Sequence, residues 1–375
     1  MFSQRKNEVN PDDDCDIFST SGSTGPPKLV VHTHSSGING CNTFLSYIEE
    51  DKPHRRYLGR NSTHVSGEIS LVMPPLVVGI TAVLASPTYT IQSTLETIQN
   101  ERCTDTLFLI KGLYDFVNFK EVDKYDLRSL TVCSTGGSSI PVDMMENFER
   151  KANCQVIMSY GSTEGMLLTS STQWDSPTIR HSPGKPFPNV EIKVVNDDGI
   201  CVPLGNVGEI WCRSPGMFKE YLGDEKRTKD TLTPRAWFKT GDLGVFDEYG
   251  ILAIVGRQTE IINKGGAKVF PAPMENILSQ HPSINQVQVI GVSDKRLGME
   301  ICICIRPQND ITIDGEHIFA YLNGKVRDVN LPGYVLIVDH FTTTDVGKID
   351  RKALTKQMEY RIKNEYILKV KGNLN

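Results

Sequence analysis

The residues best suited to chemistry come early. Ser19-Thr20-Ser21-Gly22-Ser23-Thr24-Gly25-Pro26-Pro27-Lys28 sets hydroxyls, two glycines and a lysine in one short run. Glycines admit positive φ and let backbone approach a ligand, hydroxyls and free N–H groups donate to phosphoryl oxygens, and Lys28 adds a fixed positive charge. The run is not a Walker loop, which needs G-x-x-x-x-G-K-[ST], because Leu29 follows Lys28. A Ser/Gly linker has similar composition. Pro26-Pro27-Lys28 leading straight into Leu29-Val30-Val31 reads instead as a structured loop between two elements.

Five further clusters follow. His64-Val65-Ser66-Gly67 suits an ordinary turn as well as a site. Gly136-Gly137 sits between an apolar run and a helical stretch, where backbone amides cradle a phosphate or a flat ring, or simply connect two elements. Ser159-Tyr160-Gly161-Ser162-Thr163-Glu164-Gly165 follows the apolar Val156–Met158, so it lies at a strand's C-terminal end, the edge where open α/β sheets bind ligands. There Tyr160 suits stacking on a base, Thr163 donation to a phosphate, and Glu164 a hard-oxygen bond to Mg²⁺. Thr240-Gly241-Asp242 offers a carboxylate that suits the two hydroxyls of a ribose, and is also a common turn. Gly347-Lys348 lies in a polar run near the C-terminus, where a solvated lysine is the ordinary reading.

The elements that must position these residues alternate. A helix is expected from Ser35 with Ile38, Cys41, Leu45 and Ile48 on one stripe. Strands near Leu107–Ile110, Leu130–Cys133 and Val156–Met158, with a helix at Val142–Arg150, make an α/β layered domain. Residues 184–256 change to short alternating strands with tight turns such as Asp197-Asp198-Gly199, a small antiparallel β subdomain. Beyond Arg257 a compact α/β unit is expected, with helices near Pro273–Gln280 and Gly315–Val326 and strands near Val287–Ile290, Ile301–Ile305 and Val335–Val338. The reading is thus one domain over 1–257 and a smaller one over 258–375.

Bulk composition narrows the partners. Forty Lys and Arg against 45 Asp and Glu give a net charge of −5, so no global basic field favours nucleic acid or an anionic membrane. Nine cysteines without a C-x-x-C pair read as buried thiols of a reducing, intracellular compartment. Cys302-Ile303-Cys304 would turn both thiols to one face of a strand. The most apolar run, Ile69 to Ala85, is broken by Pro74-Pro75, too short to span a bilayer, and reads as buried strand, turn and helix.

Taken together and in order, Ser19–Lys28, His64-x-x-Gly67, Gly136-Gly137, Tyr160-Gly-x-Thr-Glu164, Thr240-Gly-Asp242, Gly256-Arg257 and Gly347-Lys348 resemble the adenylate-forming superfamily of acyl-CoA synthetases and firefly luciferase. The resemblance runs from Asp12 to about Leu354. His32-Thr33-His34 and Asn263-Lys264-Gly265-Gly266 look most like the medium-chain acyl-CoA synthetases.

The resemblance implies ATP, Mg²⁺ and coenzyme A as ligands and a fatty acid as substrate. It implies that Thr20, Ser21, Gly22, Ser23, Thr24, Gly25 and Lys28 grip the β- and γ-phosphates. Thr163 would contact the α-phosphate and Glu164 hold Mg²⁺. Tyr160, Gly136 and Gly137 would flank adenine, and Asp242 and Arg257 bind the ribose. His64 would lie by the acyl pocket, Gly266 by a thiol tunnel, and Lys348, on a mobile C-terminal domain, would bridge carboxylate and α-phosphate. The family carries a long portion ahead of its phosphate loop, so the resemblance also implies a large domain present only in part, with any targeting signal lost. Cytoplasm and mitochondrion are then both open. Leu29, Thr259 and Pro273-Met274-Glu275 depart from the usual pattern. A non-catalytic fragment, and a ligase acting on another carboxylate or acceptor, are the alternatives.

Overall fold

The computed structural model describes residues 8–20, 27–46, 64–137, 140–308, 311, 313–343 and 349–365, and the backbone alone of 55–58. The chain packs as two units. One holds most residues up to Ile254, and the other holds Gly241–Leu243 and the chain from Val255 onward.

The first unit is built on a seven-stranded sheet in the order 81–83, 55–58, 105–107, 132–136, 155–162, 166–170, 185–186. The first five strands run parallel and the last two antiparallel. Parallel strands are buried on both faces, which suits runs such as Val132-Cys133 and Val156. The helices Ile91–Glu101, Ile110–Asn118 and Val142–Ala152 cover it, and Phe108, Phe116 and Phe148 meet there, the last two with ring centroids 4.2 Å apart. A second sheet pairs Asp14–Thr20 with Lys28–Thr33, and that strand with Glu220–Tyr221. A third joins Glu191–Val195, Gly208–Arg213, Phe238–Phe246 and Leu252–Arg257.

Several expectations shift. The strand ending in the Tyr160 motif is longer than expected, Gln155–Ser162, so Tyr160 lies on the strand and only Thr163 to Gly165 form the turn before Met166–Ser170. Ile110 begins a helix rather than ending a strand. The helix His34–Leu45 buries Ser36, Gly37, Gly40 and Cys41, so of the expected stripe Cys41 is packed and Leu45 half-buried, while Ile38 is 45% exposed. A Cβ at Gly40 would collide with the Met166 thioether, so only glycine fits there with Met166 in place. Ile48 lies outside the described residues.

The run from Ile69 to Ala85 reverses the expected order. A π-helical turn Glu68–Val72 leads into the helix Met73–Val78, and a short strand Thr81–Val83 follows. Pro74 and Pro75 fall in the first turn, where a missing amide hydrogen costs nothing, and Gly79 ends the helix at φ 74°. Nor is the run buried throughout: Leu76 is 77% and Leu84 70% exposed.

The second unit carries a five-stranded sheet in which Gly298–Pro307 pairs along one edge with Ile284–Asp294 in a long hairpin and along its other edge with Tyr334–Ile337 at Cys302–Ile305 and with Ile262–Lys264 at Gly298, beyond which Ala267–Val269 follows. Helices Pro271–Ser279, Gly315–Leu322 and Arg351–Asn364 accompany it. Cys302 and Cys304 do share one face, with sulfurs 4.0 Å apart. Seven of the nine cysteines are buried, whereas Cys15 and Cys201 are exposed. Among the described residues no helix is long and apolar enough to cross a membrane.

Candidate active site

Strand pairing brings one cluster together in the first unit. Lys28 begins the central strand of the three-stranded sheet, and Tyr221 arrives beside Val30 on the neighbouring strand. Glu164 lies in the turn that closes the Tyr160 strand, and Phe218 N–H donates to its backbone carbonyl at 2.8 Å. The three side chains converge. The Tyr221 hydroxyl donates to Glu164 Oε1 at 2.7 Å, Lys28 Nζ stands 3.6 Å from the same oxygen, and that ammonium lies 5.0 Å from the Tyr221 ring centroid. Burial, and then the Glu164 charge, push the Tyr221 phenol well above its ordinary value, so it remains a donor.

The turn has a second anchor. His32, fully buried, sets Nε2 2.8 Å from the Thr163 carbonyl and Nδ1 3.2 Å from Ser36 Oγ. Burial lowers the imidazole's pKa, against the pull of the Thr163 carbonyl and the charges of Asp16 and Glu164.

Gly136 lies opposite Ser159 in the parallel ladder, where any Cβ would strike the Ser159 carbonyl, and Gly137 follows at φ 80° near the Leu109 side chain. The pair therefore abuts the Tyr160 strand. His64 accepts the Ser66 amide through Nδ1 at 3.2 Å and so caps the helical run that begins at Val65. In the second unit Asp242, buried, holds exposed Arg257 at 3.0 Å from Oδ1 to Nε. Gly265 and Gly266, at φ 58° and 88°, form the two-residue turn between Lys264 and Ala267, where both positions require left-handed backbone. Ser21 to Gly25 and Lys348 lie outside the described residues. Their flanks do not: Thr20 pairs with Lys28, and Thr343 bridges Ile349.

Arg351, three residues past Lys348, is clamped. It donates to Glu275 at 2.7 Å and to the Val289 carbonyl at 2.8 Å, with Glu260 3.7 Å away. Burial raises the Glu275 pKa despite Arg351. Tyr221, Arg351 and Glu275 escaped the sequence reading as site residues. Tyr221 sits in an ordinary Lys219-Glu220-Tyr221-Leu222 run, and only strand pairing reveals it.

Glu164 fits a hard cation. Among the described residues one carboxylate oxygen is fixed by Tyr221, and the other has no hydrogen-bond partner. Among the described residues no group of three or more His, Cys, Asp and Glu side chains gathers there, and a lone carboxylate suits Mg²⁺ shared with substrate phosphates.

Fold and sequence together define the class. Residues 2–222 match the AMP-binding enzyme family and 273–348 the AMP-binding enzyme C-terminal domain, and the chain belongs to this family of adenylate-forming enzymes. It is 31% identical over 363 residues to the mitochondrial medium-chain acyl-CoA ligase ACSF2 of Bos taurus, covering 93% of this chain and 58% of that protein. It is 29% identical over 364 residues to the putative acyl-CoA synthetase YngI of Bacillus subtilis, covering 94% of this chain and 65% of that one. The chain thus spans about three fifths of the length of these relatives. Among solved structures, the amide bond synthetase McbA of Marinactinospora thermotolerans matches with TM-score 0.84 and 27% identity, over 91% of this chain and 69% of that one. The anthranilate CoA ligase AuaEII in complex with anthranoyl-AMP shares the fold, with TM-score 0.86 and 23% identity over 94% of this chain and 69% of that one.

Proposed function

We propose that the chain activates a fatty acid of medium length with ATP and passes the acyl group to the thiol of coenzyme A. The observation that carries this reading is the convergence of Lys28, the residue that ends the Ser/Thr/Gly run in sequence, with Glu164 and Tyr221. In the first half-reaction a carboxylate oxygen bonds to the α-phosphorus as the bond to the bridging oxygen breaks and pyrophosphate leaves. In the second, the thiol sulfur attacks the acyl carbon and AMP departs.

The first step brings anion to anion, so catalysis rests on positive charge where negative charge develops. Lys28, beside its loop, neutralises the departing pyrophosphate. Lys348 bridges the attacking carboxylate and the α-phosphate, and Thr163 holds an α-phosphate oxygen. Mg²⁺, when bound, supplies Lewis-acid stabilisation of the phosphates. Glu164 is the residue to hold it, with Tyr221 keeping that carboxylate aimed. Gly136, Gly137 and Tyr160 receive the adenine, Asp242 and Arg257 the ribose, His64 borders the acyl chain and Gly266 the thiol path.

The test is ATP–pyrophosphate exchange against a panel of fatty acids, with and without Mg²⁺. Exchange with medium-chain acids and dependence on Mg²⁺ are expected; exchange with no fatty acid overturns the reading. Lys348→Ala should abolish exchange and leave thioester formation from supplied acyl-adenylate largely intact. The likeness to an amide bond synthetase favours an amine as the alternative acceptor. Amide product from an added amine, with no thioester from coenzyme A, would select it.

A further inference from the structure

We infer that His32 is a positioning residue that holds the Thr163-Glu164 turn in its working geometry. This deepens the proposed function and rests on it. A carbonyl only accepts, so the 2.8 Å contact between His32 Nε2 and the Thr163 oxygen requires Nε2 to carry the hydrogen. With the ring neutral, Nδ1 is then an acceptor, and the Ser36 hydroxyl, whose single hydrogen the Thr33 carbonyl also reaches at 3.1 Å, stands 3.2 Å away. The same Ser36 oxygen accepts the Thr33 amide at 2.9 Å while Thr33 Oγ1 accepts the Ser36 amide at 3.1 Å, a reciprocal cap on the helix His34–Leu45.

His32 is thus tied at one ring nitrogen to a helix start and at the other to the turn, and Phe18 packs edge-on at 5.8 Å. The bond spans 131 residues of sequence, so it is tertiary rather than local. Thr163 and Glu164 are consecutive. Fixing the carbonyl between them fixes the peptide plane from which the Glu164 side chain departs, and Tyr221 and Lys28 then meet its carboxylate. An apolar residue at 32 would fill the same fully buried space but leave the Thr163 carbonyl unpaired there.

The experiment compares His32→Leu and His32→Gln. The Gln amide nitrogen lies near the place of Nε2 and still donates; Leu does not. In His32→Leu, kcat for pyrophosphate exchange should fall about ten- to a hundredfold, as expected for an unpaired buried carbonyl, with KM for ATP within about twofold, and Gln should restore most of it. In parallel, amide hydrogen exchange is read at Phe218, which donates to the Glu164 carbonyl, and at Gly165, which donates to Ser162. Both should exchange at least tenfold faster in Leu and at the native rate in Gln. Equal exchange in all three proteins, or a Gln variant as impaired as Leu, overturns the inference. If the native protein activates no carboxylate, the proposed function falls, while the amide exchange still decides whether His32 holds the turn.

Discussion

Tyr221 donates its hydroxyl to Glu164 across 2.7 Å, and the two residues lie 57 positions apart on elements with no local reason to meet. The bond orients an otherwise acceptor-only carboxylate and leaves its second oxygen for a cation. Removing the hydroxyl by Tyr221→Phe should cost about 2 kcal/mol of stability, the worth of a buried hydrogen bond to a charged group. It should also weaken Mg²⁺ activation several-fold. Urea titration by tryptophan fluorescence and a Mg²⁺ titration of pyrophosphate exchange read the two effects, and an unchanged Mg²⁺ dependence would remove Tyr221 from the site.

Lys28 is part-exposed, 3.6 Å from Glu164, and in the proposed function its charge serves phosphate. Lys28→Met should lower stability by about 1 kcal/mol, the upper end for an exposed pair, because Lys28 is part-exposed while its partner Glu164 is buried and keeps the Tyr221 hydroxyl. It should lower kcat/KM for ATP by about a hundredfold, in line with loss of a group that stabilises developing charge. A variant that keeps near-native kcat/KM would place the phosphate grip elsewhere.

The lowered pKa of His32 has a fixed sign. Unfolded, the imidazole titrates near 6.5, while in the fold burial holds it neutral to lower pH despite Asp16, Glu164 and the Thr163 carbonyl, all of which favour the charged form. Below 6.5 the unfolded chain therefore binds a proton that the native state refuses, and stability falls with pH until the folded value is reached. Between about pH 7.5 and 5.5 the native urea midpoint should drop further than that of His32→Gln, since glutamine has no such proton to bind. Parallel curves would contradict the assignment.

Arg351 anchors the start of the helix that follows Lys348. Arg351→Met leaves buried Glu275 without its guanidinium, and breaking a buried pair from one side costs about 3 kcal/mol. Arg351→Lys retains charge but not the fork that reaches both Glu275 and the Val289 carbonyl, so it should rescue only in part. Exchange of the Val289 amide, which Glu275 accepts at 2.8 Å, is the local readout, and native exchange in Arg351→Met would refute the clamp.

Much of the architecture was legible because it rests on local signals. Alternation of apolar runs with helical spacing specified the α/β layers, and the paired thiols of Cys302 and Cys304 followed from strand periodicity alone. The reading slipped where tertiary contact overrides pattern. The helix at His34 packs closely at Gly40 because Met166 lies against it, and nothing within the helix announces that neighbour. The segment around Pro74-Pro75 misled because an apolar composition does not distinguish a helix's first turn from a strand's end. The motif residues Lys28 and Glu164, and separately Asp242 and Arg257, could be named from sequence, whereas the buried partners that fix Glu164, Thr163 and the start of the last helix could not. Tyr221, His32 and Arg351 act through partners 57 to 131 residues away, and a single sequence carries no trace of such pairings.

The sequence distance between Lys28 and Tyr221, 193 residues, also orders events in time. Contacts that close long loops form late, because the chain must first give up the entropy of the intervening segment. On a ribosome, Lys28 and Glu164 emerge well before the residue that joins them. The carboxylate therefore acquires its aim only after the strand Glu220–Tyr221 has been released, and nucleotide binding at this cluster would be a marker of nascent chains at least that long.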